Sequence, residues 1–275
     1  MIDYIFGPFQ YGFMVRAIIV SVLVGIMCPI IGAYVVTRGR AFMGDALPHA
    51  VLPGMVVAFL LGISPFFVAV PAGIAIALLM GTVSRRTGIS EDTSIGIVFA
   101  VMFALGLVML SKANVNVNIE DLLLGQVLGV SWTDVYVSLA LTALVLVGLY
   151  AFHRQLIYTT FDEIGASVIG INTGRIEYIL LALLALVIVI GIQAAGIVLV
   201  MAMLITPAAT AYLLARRFVG RMVIGAIVGV TSAIIGLYLS FHANLPSGPA
   251  MALLATLMFA IAAVAKSVWP LKSQA

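Results

Sequence analysis

From Tyr178 to Ala215 the chain reads YILLALLALVIVIGIQAAGIVLVMAMLITPAATAYLLA, 38 positions without an Asp, Glu, Lys or Arg. As one α-helix this run would be about 57 Å long, nearly twice the ~30 Å hydrocarbon core of a bilayer. It therefore reads as two membrane-crossing segments, divided near Gly191 to Gly196. A second run, Met222 to Ala265, has 44 residues without a charged side chain. Asn244-Leu245-Pro246-Ser247-Gly248-Pro249 breaks it in two.

Working outward from these runs, the rest of the chain divides in the same way. Apolar spans are expected at Ala17 to Val36, at about Gly44 to Leu61, and from the Gly62-Ile63-Ser64-Pro65 turn to Ser84. Two more follow at Ser94 to Leu110 and at about Val135 to Phe152. The total is about nine. The composition agrees: 64% of the 275 residues are hydrophobic and 8% are charged, against about 25% charged in soluble domains. Mean hydropathy is +1.28. These values exclude a water-soluble globule, a disordered chain and a nucleic-acid binder. Alternating strand patterns are absent, so the expected fold is an all-α polytopic membrane protein, 1–275 forming one transmembrane domain. Cys28, the single cysteine, excludes a disulfide framework. The opening Met1-Ile2-Asp3, with no basic residue before Arg16, does not resemble a cleavable signal.

Nine spans put the termini on opposite sides of the membrane. With the C-terminus inside, Arg38, Arg40, Arg85, Arg86, Arg154, Arg175, Arg216, Arg217, Arg221, Lys266 and Lys272 are cytoplasmic. Only Arg16 and Lys112 of the 13 basic residues lie outside. This asymmetry predicts an external N-terminus and an internal C-terminus. Small residues, as in Gly225-Ala226-Ile227-Val228-Gly229, predict close helix packing.

Two ionisable residues fall well inside a span, Asp45 and His49. A charge at the bilayer centre costs about 2.5–3.5 kcal/mol on insertion scales, so each calls for a reason. Four residues apart, they share one helix face. His49, nine residues beyond Arg40, lies about 13 Å deep. Carboxylate and imidazole together suit a divalent first-row metal. One helix supplies two such donors, and a two-fold dimer would supply four. The competing reading is a mutually hydrogen-bonded pair that only stabilises packing. Pro48 and Pro53 bracket the pair and remove backbone donors.

A second informative stretch lies between spans five and six. Phe161, Asp162 and Glu163 open it, Gly165 and Ala166 occupy its middle, and Gly170 closes it. Acidic residues favour a helix N-terminus and glycine a C-terminus, which predicts a short helix that docks in a partner's groove or simply covers the surface. Glu91 and Asp92 are expected to form ion pairs near Arg85 and Arg86, or to meet a partner. His153 is expected to be solvated beside Arg154, and His242 to be a satisfied interface residue. No Gly-Lys dipeptide occurs, so the chain lacks the phosphate-binding loop of an ATPase and is not expected to be an enzyme.

Gly44-Asp45-Ala46-Leu47-Pro48-His49-Ala50-Val51-Leu52-Pro53-Gly54 resembles the second-span motif of the manganese/zinc/iron permeases of bacterial ABC importers, the metal-chelate or ABC-3 type. Glu91 to Ile97, Leu123 to Ser131, Leu204 to Ala211 and Pro246 to Pro249 are similar to further stretches of that family, in the same order. The resemblance runs from about Gly12 to Ala265. It implies a type II-like importer fold in the plasma (inner) membrane, among lipid. It also implies a homodimer with two cytoplasmic ATP-binding subunits and an extracytoplasmic metal-binding protein. Asp45 and His49 match the metal-binding positions of the translocation path, and Phe161 to Gly170 matches the coupling helix. There the family often has Phe-Asp-Pro-Glu, and here Glu163 and Ile164 replace its last two residues. The motif around Asp45 looks more like manganese and iron members than zinc members. The implied cargo is manganese, alternatively zinc or iron, moved by ATP hydrolysed on the partner subunit, with no permanently bound cofactor. A secondary metal/proton symporter would use the same two residues without ATP.

Overall fold

The computed structural model describes residues 10–112 and 129–268. The polar positions Asn114 to Asp121, the Leu123 to Leu128 part of one family-like stretch, and Lys272 lie outside the described residues. Among the described residues eleven helices follow in order: α1 (Gly12–Thr37), α2 (Ala41–Ala50), α3 (Leu52–Leu61), α4 (Pro65–Thr87), α5 (Glu91–Lys112), α6 (Trp132–Phe161), α7 (Glu163–Val168), α8 (Thr173–Ala195), α9 (Ile197–Leu214), α10 (Phe218–Ala243) and α11 (Ser247–Val268). With α2 and α3 taken as one interrupted span, nine helical segments among the described residues are long and apolar enough to cross a membrane. The long run at 178–215 breaks at Gly196, inside the stretch where the sequence divides it. Asn244 ends α10 in the left-handed conformation, at the first residue of the predicted Asn244 to Pro249 break.

The helices are not equivalent, although all are apolar. In α8, Val187, Ile188, Val189 and Ile190 are fully covered, whereas Val101 and Leu105 of α5 and Leu253 and Leu257 of α11 are exposed to the bilayer. α1 and α8 thus form the centre, and α5, α6 and α11 form part of the rim. Close approach joins α1 to α10: a Cβ on Gly25 would sit 2.9 Å from the Gly229 carbonyl. Only glycine permits that contact, and in lipid such backbone proximity supplies much of the association energy.

The charged ends group as the helix alternation requires. Arg16 donates from Nε to the Val130 carbonyl at 2.7 Å and lies 6.0 Å from the Trp132 ring, at one end of the bundle. Arg38, Arg40, Arg85, Glu91, Glu163 and Glu177 pair with one another at the other end. An apolar groove of about 680 Å³, lined by residues such as Leu149, Tyr150, Met222 and Ile227, opens between α6 and α10, and none of its lining residues is on α2.

Candidate metal site

α2 starts after Arg40 and ends at Ala50, with Val51 between it and α3. The interruption follows from the two prolines. Neither can donate to the carbonyl four residues back, so Gly44 and His49 lose their regular helical donors. Met43, Gly44, Ala46, Leu47, Pro48 and Ala50 of α2 are buried. Gly44 faces Leu204 and Ile205 of α9, and a side chain there would strike Leu204 Cδ2 at 2.7 Å. The remaining stripe is Phe42, Asp45 and His49, at the 3 and 4 spacing of one helix face. Phe42 is exposed, and Asp45 and His49 are half-buried.

α5 supplies an aromatic wall beside this stripe. The His49 ring lies 5.6 Å from Phe103, edge-on, and 6.2 Å from Phe99, and the two phenyl rings stack at 5.7 Å. No hydrogen bond joins Asp45 to His49 among the described residues, and neither makes an ion pair there. The competing reading, a mutually satisfied pair, therefore lacks its defining contact. One carboxylate and one imidazole stand on a partly open face, with no hydrogen bond to another described side chain. No third His, Cys, Asp or Glu joins them among the described residues.

The stretch after α6 forms the short helix α7. Asp162 caps it, accepting from the Gly165 N–H at 2.8 Å. Gly170 follows the helix at φ +87°, where its N–H donates to the Ser167 carbonyl. Glu163 pairs with Arg85 at 3.6 Å. Phe161 is exposed and lies edge-on to Phe218, while Ala166 is 2% exposed and turned into the protein. The outward face of α7 carries Ile164 and Val168, 79% and 81% exposed, followed by Ile169. The sequence drew attention to the small residues of this helix, but its accessible surface is made by the large apolar ones.

The model of the ABC 3 transport family matches residues 10–266. The chain belongs to that family. It is 43% identical over 256 residues to the manganese transport system membrane protein MntC of Listeria innocua, covering 93% of this chain and 91% of that one. It is 37% identical to the chelated iron transport system membrane protein YfeD of Yersinia pestis, over 97% of this chain and 90% of that one. The solved structure of PsaBC from Streptococcus pneumoniae in complex with Fab superposes with a TM-score of 0.85 at 34% identity, covering 95% of both chains. The chain is thus a multi-pass ABC permease of the bacterial plasma membrane.

Three features of this permease were not legible as pairings in its sequence. Glu177, near the start of α8, bridges two arginines. One oxygen accepts from Arg38 at 2.9 Å and the other from Arg40. Arg40 also pairs with Glu91. Glu91 therefore meets Arg40 rather than Arg85, which turns to Glu163 instead. Burial pushes the Arg38 pKa down and Glu177 opposes that shift; a guanidinium stays protonated throughout. Finally, His153 is not a solvated neighbour of Arg154. Its Nδ1 shares a hydrogen bond of 2.7 Å with the hydroxyl of the fully buried Tyr34, because a buried phenol needs a partner. His242 does interact within its own helix, with Nδ1 2.9 Å from the Tyr238 carbonyl.

Proposed function

We propose that this permease moves a divalent transition metal ion into the cytoplasm, with manganese as the principal cargo and iron or zinc as alternatives. Two copies form the pathway, and ATP is hydrolysed on two separate cytoplasmic subunits. An extracytoplasmic metal-binding protein delivers the ion. The N-terminus lies outside and the C-terminus inside, because the basic residues crowd the end that carries α7. The observation that supports this reading is the pair Asp45 and His49, one helical turn apart, half-buried, and without a hydrogen bond between them. A carboxylate and an imidazole are a mixed donor set suited to first-row ions. One copy brings two donors, and a second copy across a two-fold axis brings the rest. Binding there is moderate, since an ion held too tightly would not leave.

Family membership favours ATP-driven import over metal/proton symport. The names of the relatives, manganese for MntC and iron for YfeD, favour manganese first and iron second. α7 is the coupling helix in this reading. Its exposed Ile164, Val168 and Ile169 form an apolar knob that fits a groove on an ATP-binding subunit.

Uptake of manganese, iron and zinc into proteoliposomes holding the whole importer tests the proposal. Wild-type uptake depends on ATP and is greatest for manganese. Asp45→Ala and His49→Ala each reduce it by more than about 100-fold, the upper end of what losing an outer-shell partner costs a metal site, while assembly with the ATP-binding subunits continues. Normal uptake by both variants would refute the site, and uptake driven by a proton gradient without ATP would refute the importer.

A further inference from the structure

Four charged side chains form one continuous network at the membrane end that carries α7. Arg38 and Glu177 are almost wholly covered, with 6% and 9% of their side-chain surface accessible, Arg40 has 15%, and Glu91 at the edge of the network has 46%. The two positive and two negative charges balance, and each carboxylate is paired. Replacing covered ions such as Arg38, Arg40 and Glu177 with apolar residues is often neutral or stabilising, so their retention is weak evidence for a stability role.

The connections suggest a different role. On one side, Arg38 donates from Nε to the Thr160 hydroxyl at 3.0 Å and from Nη2 to the Thr159 hydroxyl at 2.9 Å. These threonines end α6, and Asp162, two residues on, caps α7. On the other side, Arg40 immediately precedes α2, whose outward stripe begins at Phe42 and continues through Asp45 and His49. Arg40 also grips Glu91, the first residue of α5, and Phe99 and Phe103 of that helix flank the His49 ring. Arg40 thus holds both the helix that presents His49 and the helix that walls it. Glu177 ties that anchor to Arg38 and through it to the base of α7.

We propose that Arg38, Glu177, Arg40 and Glu91 are positioning residues that transmit displacement of α7 to the Asp45/His49 site. The network rests on the reading of α7 and of the metal site given above. A shift of α7 moves Thr159 and Thr160, and Arg38 follows them. Glu177 then draws Arg40, which changes the spacing between α2 and α5. Rigid charge pairs suit this task because two arrangements of a salt-bridge network can be discrete, whereas a greasy contact slides.

The test is the number of manganese ions taken up per ATP hydrolysed by the complete importer in proteoliposomes. Glu177→Gln keeps the shape but removes the central charge, and it lowers that ratio by about tenfold or more, within the usual range for coupling between sites. Manganese bound by the ATP-free complex stays at the wild-type level. A purely structural role would lower the yield of complex without changing ions per ATP in what assembles. Thr160→Val keeps every charge and removes the hydroxyl that accepts from Arg38 Nε and donates to the Leu156 carbonyl of its own helix. It lowers the ratio by about fivefold, and it carries the test if Glu177→Gln fails to accumulate. An unchanged ratio in the variant that assembles overturns the link. Asp45→Ala, run in parallel, separates the two claims. Its loss of uptake beside an unchanged ratio in the network variants rejects the link alone, whereas its normal uptake rejects the site on which the link depends.

Discussion

The permease carries two groups of ionisable residues between its helices, and they are built in opposite ways. At the membrane end, Arg38, Arg40, Glu91 and Glu177 saturate one another, and the spare donors of Arg38 go to Thr159 and Thr160. Deeper in, Asp45 and His49 share a helix face but no hydrogen bond. Desolvated charge is tolerable only when it is paired, or when something else arrives to pair it. The first group is complete in one chain. The second is completed by a travelling cation and a second copy in the proposed function. In that proposal the difference separates charges satisfied within the chain from donors that receive the cargo.

Stability measurements sharpen this contrast, because the two groups should respond with opposite sign. Glu177→Ala strands the covered Arg38 guanidinium, leaves Arg40 only its pair with Glu91, and should destabilise the permease by about 3–5 kcal/mol, the usual effect of removing one partner of a buried ion pair. Reversible unfolding in mixed detergent micelles would read this as a shift of the midpoint, and a change below about 1 kcal/mol, the scale of a surface pair, would show that the network is loosely held. Asp45→Ala should move the other way and by less. It removes an intramembrane carboxylate that no arginine or lysine pairs with among the described residues, so stability should hold or rise by up to about 2.5–3.5 kcal/mol. A clear loss in the same assay would mean that Asp45 holds the fold together and would blur the distinction.

Much of the architecture was legible because a bilayer imposes simple rules. Uncharged length gives the spans, and breaks such as Gly196 and Asn244 fall where small or turn-forming residues interrupt an apolar run. Asp45 and His49 stood out because few side chains of their kind enter the membrane. Burial was less legible. α8 and α5 are similarly apolar, yet one is enclosed and the other faces lipid, since hydrocarbon and protein interior select for the same side chains. Pairings across the fold were not legible either. Arg38 and Arg40 served in the sequence as markers of sidedness, and nothing local tells that Glu177 lies between them. The same holds for His153, whose partner Tyr34 is on another helix. For α7, the sequence indicated the cap and the stop but not which side chains face outward, a matter decided by how one buried residue, Ala166, seats the helix.

The most direct measurement of the central claim is metal content by mass spectrometry of the purified, ATP-free importer after manganese loading and desalting. About one manganese ion for each pair of permease chains is expected, since among the described residues each chain offers two ligating side chains and a first-row ion in a mixed nitrogen and oxygen site takes more. Asp45→Ala and His49→Ala should bring that value to background. Retention of the wild-type amount by both variants would contradict the assignment of Asp45 and His49 as the residues that receive the ion.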